Sequence, residues 1–102
     1  MIILSIRFRS ALPSDEVRAR MRERSEQFRA LPQLLQKYYT QDTSTGDWNG
    51  IYLWDSAAAV EAFLASELAH SMTAAYQVTS TPRVEILEVH FTLRENSRAS
   101  SL

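Results

Sequence analysis

The 102-residue chain has no cysteine. It therefore has no disulfide, no thiolate nucleophile and no thiolate metal site, a usage that suits a reducing cytoplasm. It also lacks an excess of either charge: 12 Asp and Glu stand against 11 Lys and Arg. With no basic surplus to neutralise phosphates, nucleic acid is argued against as a main partner. Long hydrophobic runs are missing too, so no segment reads as a membrane span. The start, MIILSIRFRS, is interrupted by Arg7 and Arg9 and lacks the order of a signal peptide. Histidine occurs only twice, at His70 and His90, too far apart to suggest a metal-ligand cluster. No phosphate loop, nucleophile signature, flavin motif or nicotinamide motif is visible.

What is present is a clear alternation of strands and helices. Ile2–Arg9 reads as a strand, with Ile2, Leu4, Ile6 and Phe8 on one face. Pro13-Ser14-Asp15-Glu16 reads as a helix start with Ser14 as the cap. The helix runs to about Leu31 on a stripe of Val17, Met21, Phe28 and Leu31, with a gap near Arg24 and Ser25. Leu34–Thr40 reads as a second strand. A polar turn over residues 42–47 then returns the chain into a third, Trp48–Trp54. Asp55 or Ser56 caps a second helix, with Ser66 as a point where it can break. Arg83–Leu93 reads as the last strand, and Glu95–Leu102 as a frayed polar tail.

The order β-α-β-β-α-β is the split ferredoxin-like pattern, an α+β class with an antiparallel-type four-stranded sheet and two helices on one face. It fills a single domain over residues 1–94. The crossovers suggest that the first and third strands lie side by side and parallel. Large apolar groups occupy both faces of three strands, yet the helices can bury only one face. The other face would leave an apolar patch larger than monomers usually expose. A second copy packed sheet to sheet, a homodimer, resolves this.

The pieces "ILSIRF", "FRALPQLLQKYYT", "NGIYLWDSAAAVEAFL" and "EVHF" resemble, in that order, the YdhR-type monooxygenases. These are a branch of the antibiotic-biosynthesis monooxygenase superfamily of dimeric α+β barrels. "GIYLW" followed by a helix of small residues is the most specific piece. The resemblance implies a homodimer with the two sheets facing each other and a pocket in each subunit between sheet and helices. It also implies use of O2 on electron-rich aromatics such as quinols, often with no metal, flavin or haem.

Tyr52 and Trp54 share one face of the third strand, and the resemblance sets Trp54 at a strand end that lines the pocket. With Phe28 and Phe63 opposite, these four form either an aromatic core or a ligand wall. Arg7, Glu88 and His90 are expected to meet on one face. There His90 would serve as proton acceptor and Arg7 as the cation that steadies a phenolate, unless they form only a cross-strand ion pair or a dimer contact. Haem-degrading relatives place an iron-ligating histidine where this chain has Thr73, one turn after His70. They also carry a strand-one asparagine, where this chain has Ser5 and Arg7, so haem degradation is disfavoured. The sequence thus points to a cofactor-independent cytoplasmic monooxygenase for a small phenolic or quinol compound. The alternatives are a dimer that binds such a ligand without turnover and a domain whose aromatics only fill its core.

Overall fold

The computed structural model describes residues 1–94, so the expected frayed tail lies outside the described residues. The elements are β1 (Ile2–Phe8), α1 (Ser14–Arg29), β2 (Leu34–Gln41), β3 (Trp48–Trp54), α2 (Ala57–Leu64), α3 (Glu67–His70), α4 (Met72–Ala75) and β4 (Arg83–Glu88). They build a ferredoxin-like α+β domain whose sheet runs β2-β3-β1-β4. All three neighbouring pairs are antiparallel. The expected parallel pairing of the first and third strands is therefore corrected. The α1 crossover makes β1 and β2 parallel, and the hairpin at residues 42–47 then reverses β3 against both.

The core lies on the helix side of the sheet. Leu4, Ile6, Tyr52, Trp54, Phe28, Val60 and Phe63 form one buried cluster. Phe8, Val17, Met21, Trp48 and Tyr76 form a second, so Trp48 closes one end of the layer. Ser14 is the first helical residue and not the cap: Pro13 holds that place, and its carbonyl accepts the amides of Glu16 and Val17. Ala30 ends α1 ahead of Pro32, which cannot continue a helix. The gap in the α1 stripe also has a cause. Arg24 turns inward and donates to Leu68 O at 3.2 Å and Ser71 Oγ at 3.1 Å, tying α1 to the α3–α4 segment.

Ser56 caps α2 by accepting from Ala59 N, and Ser66 caps α3 by accepting from Ala69 N. The second helix is thus broken at Ser66, and again at Ser71, into three short pieces. The expected last strand is shorter than its pattern. It ends at Glu88, opposite Ile2 of β1, its only neighbour among the described residues, and Val89 N donates to Met1 O. Every residue of β4 is exposed.

Arg7 fastens the hairpin. It donates to Asp42 at 2.7 Å, Thr45 at 3.0 Å and Asp47 at 3.3 Å, while Arg9 holds the other oxygen of Asp47. The Arg7 bond comes first among the causes that hold the Asp42 carboxyl below the usual carboxylate range; the Ser44 hydroxyl and the Ser44 and Thr45 amides add to it. A folded-state pKa below the unfolded value of about 3.9 contributes stability above that value and loses it as pH falls through the folded one. Asp42→Asn is therefore expected to lower the urea midpoint at pH 7. It should also flatten the loss of stability on acidification below about pH 4. Parallel acid profiles for the two proteins would show that the Arg7–Asp42 pair does not carry this effect.

Candidate functional site

The four expected aromatics do converge. Tyr52 and Trp54 stack at 6.3 Å with ring planes 11° apart. Phe63 sits 5.3 Å from Tyr52 and 5.2 Å from Trp54, and Phe28 lies 5.9 Å from both Tyr52 and Phe63. Period-2 alternation along β3 brings Trp48, Gly50, Tyr52 and Trp54 to the helix side. Gly50 is required by its neighbour: a Cβ there would meet Tyr52 Cε1 at 3.0 Å and Oη at 3.3 Å. The Tyr52 ring therefore leans back over Gly50, opposite Tyr39 in the register.

Two spaces border this cluster. The inner cavity, of about 20 Å³, is lined by Phe28, Lys37, Tyr52, Phe63, Arg24 and Tyr76 among others. That is room for a water-sized occupant. A wider cleft of about 350 Å³ opens at the other end, against Leu31, Gln33, Trp54, Ser56 and Ser66. Trp54 lines the cleft and not the inner cavity. Phe63 and Leu68 line both and form the partition. Beyond these two, a surface cleft of about 210 Å³ reaches Phe28, Arg29, Lys37 and Tyr39.

The polar members of the inner cavity are Lys37, Arg24, Tyr39, Tyr52 and Tyr76. Lys37 Nζ stands over three rings: Phe28 at 3.4 Å, Tyr39 at 4.3 Å and Tyr52 at 4.5 Å. Burial, then the charge of Arg24, lowers the Lys37 amine to about 7. Burial raises the Tyr52 phenol well above its ordinary value, and raises Tyr39 and Tyr76 in the same direction. These three tyrosines are neutral donors and acceptors at neutral pH.

Lys37 is absent from the expected site because strict alternation along Leu34–Thr40 puts it opposite Leu34. A bulge at Leu35 shifts the phase, so Leu34, Lys37 and Tyr39 all pair with helix-side positions of β3. The available signal is composition: Lys37 is the only lysine in the chain, every other cationic side chain being arginine.

Arg7 and His90, expected to share a face with Glu88, are not brought together. Arg7 pairs with Arg83, whereas Glu88 pairs with Ile2 at the other end of β1. The five residue steps from Arg83 to Glu88 span about 17 Å. The register also sets Glu88 on the helix side and Arg7 on the outer side. His90 follows the strand and is exposed, and the Arg7 guanidinium is engaged by the hairpin. His70 and Thr73 are exposed on α3 and α4, away from the cavity. Among the described residues no three His, Asp or Glu side chains gather as a metal site. No helix among them is long and apolar enough to cross a membrane.

Residues 3–100 match the family described as "Putative mono-oxygenase ydhR". The chain belongs to that family. No curated protein matches it. Among solved structures, this ydhR-family chain is similar in fold to SnoaB, a cofactor-independent oxygenase from Streptomyces nogalater. The two are 18% identical with a TM-score of 0.73, over 92% of this chain and 97% of that one. Rv0793 from Mycobacterium tuberculosis is 15% identical with a TM-score of 0.70, over 91% and 98% of the two chains. A dimeric ferredoxin-like protein of unknown function from Thermobifida fusca is 16% identical with a TM-score of 0.66, over 87% and 92%.

Proposed function

We propose that this chain works as a cytoplasmic homodimer whose subunits each oxygenate a small phenolic or quinol-type aromatic without metal, flavin or haem. The observation that carries this reading is the helix-side cavity: ring walls from Phe28, Tyr52 and Phe63 beside Lys37 and Arg24, in a mono-oxygenase family. Flat rings favour a flat aromatic by offset or edge-to-face contact. Arg24, and Lys37 when protonated, favour its anion, the form that gives electrons to O2. The balanced reaction for a quinol is quinol plus O2 to hydroxyquinone plus water. The substrate supplies all four electrons, so no external reductant enters. Arg7 and His90 have no part in this site.

The homodimer rests on the apolar groups that the single chain leaves uncovered. Leu87 is 50% exposed and Phe91 85%. Leu87 pairs with half-buried Ile3 on the outer face, whereas Leu53, next in that row, is already buried within the single chain.

A second reading, binding of the same kind of ligand without turnover, is favoured by the cavity volume of about 20 Å³. A ring enters only if Phe63 and the short α3–α4 segment move. An oxygen electrode separates the two. Simple quinols should consume one O2 per quinol with protein present and no cofactor added, at a rate proportional to protein concentration. Binding with O2 uptake no faster than autoxidation would leave the non-catalytic reading.

A further inference from the structure

We propose that Lys37 is the proton acceptor of the inner cavity. Its neutral amine takes the hydroxyl proton of a bound phenol and holds the resulting phenolate as an ion pair. The step balances as amine plus phenol to ammonium plus phenolate. The inference deepens the oxygenase reading and rests on it for the identity of the ligand.

The β2 bulge turns Lys37 to the helix side, directly opposite Tyr52 in the register. The amine is held among the faces of Phe28, Tyr39 and Tyr52, and it lines the same cavity as Arg24 and Tyr76. Among the described residues no carboxylate forms an ion pair with it, so nothing already present takes or supplies its proton. The groups that face it from the packed elements are Arg24 of α1, Tyr52 of β3, Tyr39 of its own strand and Tyr76 after α4. Arg24 repels a second positive charge and the phenols stay neutral, so only the ring faces of Phe28, Tyr39 and Tyr52 offset an ammonium.

Residue chemistry agrees. An arginine here would be permanently charged and could accept no proton, whereas a desolvated lysine can act as a base. The chain uses arginine at its ten other cationic side chains and lysine only here. A purely structural cation over three rings would not need a titratable group. The amine's lowered value, about 7, means that a large share is neutral at working pH, the condition for an efficient general base.

Because Lys37 is the sole lysine, its 13Cε signal is single and needs no assignment among others. The test adds 4-nitrophenol, whose anion absorbs in the visible, to folded full-length protein at pH 8. The expected result has two parts. The Lys37 13Cε signal moves to its ammonium position on binding, and the bound probe, followed down to pH 6, ionises at least tenfold more readily than free probe. Lys37→Met should remain folded and bind the probe neutral. Lys37→Arg should bind the anion without restoring proton uptake. In quinol turnover, Lys37→Met should lower kcat/KM by about 10²–10⁴, the usual share of a general base. A bound probe with an unresponsive lysine signal would overturn the proposal and leave the oxygenase reading standing. A responsive lysine with no O2 uptake from any quinol would overturn that reading and leave the proton acceptor. No binding at millimolar probe would overturn the proposal.

Discussion

Trp54→Ala should lower the free energy of unfolding by about 3–5 kcal/mol, the range for removing a buried indole from a core. A domain of this size has roughly 5–15 kcal/mol to lose, so the variant should be close to unfolding. The size follows from position. Trp54 is 2% exposed, stacked on Tyr52 and set against Phe63, at the strand end where β3 meets both β1 and β2. Its Nε1 has no hydrogen-bond partner among the described residues. Trp54→Phe keeps a ring and deletes that unpaired donor, so it should recover most of the loss. Urea unfolding at equilibrium measures both. A loss under about 1 kcal/mol for the alanine variant would mean that the indole is not packed as core.

The second large effect concerns assembly. Wild-type protein should sediment at twice the 11.7 kDa chain mass at micromolar concentration. Leu87→Asp should give the chain mass. Leu87 is half exposed in the single chain, so an aspartate there costs the isolated fold little. Against a partner's sheet the same carboxylate is buried without a counter-charge, which costs about 3–5 kcal/mol, or roughly 10²–10⁴ in dissociation constant. A wild-type monomer would remove the sheet-to-sheet arrangement. A Leu87→Asp dimer as tight as wild type would move the interface to another surface.

The element order was legible because alternation marks the strands and helix-start signals mark the helices, with Ser56 capping and Ser66 marking the break as read, and Ser14 the first residue of α1 instead of its cap. In Ile2 to Phe8 and Trp48 to Trp54 every second residue faces the helices, and Leu4, Ile6, Phe8, Trp48, Tyr52 and Trp54 are buried there. Phe28 and Phe63 reach the same buried cluster through the apolar stripes of their helices. Three features were not readable from pattern. The relative direction of β1 and β3 depends on counting a crossover and a hairpin together. The end of β4 opposite Ile2 is not encoded in the alternation of Val89, Phe91 and Leu93. Lys37 depends on one extra residue, Leu35, that inverts the faces of the rest of β2. A charged residue in an apolar strand reads as outward-facing until such a bulge is known. Arg24 was hidden similarly, as a break in a stripe that the structure fills with an arginine stem.

The central claim is that the Phe28–Tyr52–Phe63 cluster encloses a site that opens for an aromatic guest and is not merely packed interior. Chemical-shift mapping with labelled aromatic side chains and labelled Lys37 tests it most directly, with a simple quinol added under argon. The account predicts saturable shifts at Phe28, Lys37, Tyr52 and Phe63, with Phe63 broadened as it leaves the partition between cavity and cleft. Saturable shifts confined to the exposed groups of β4, or none at these four residues, would contradict it.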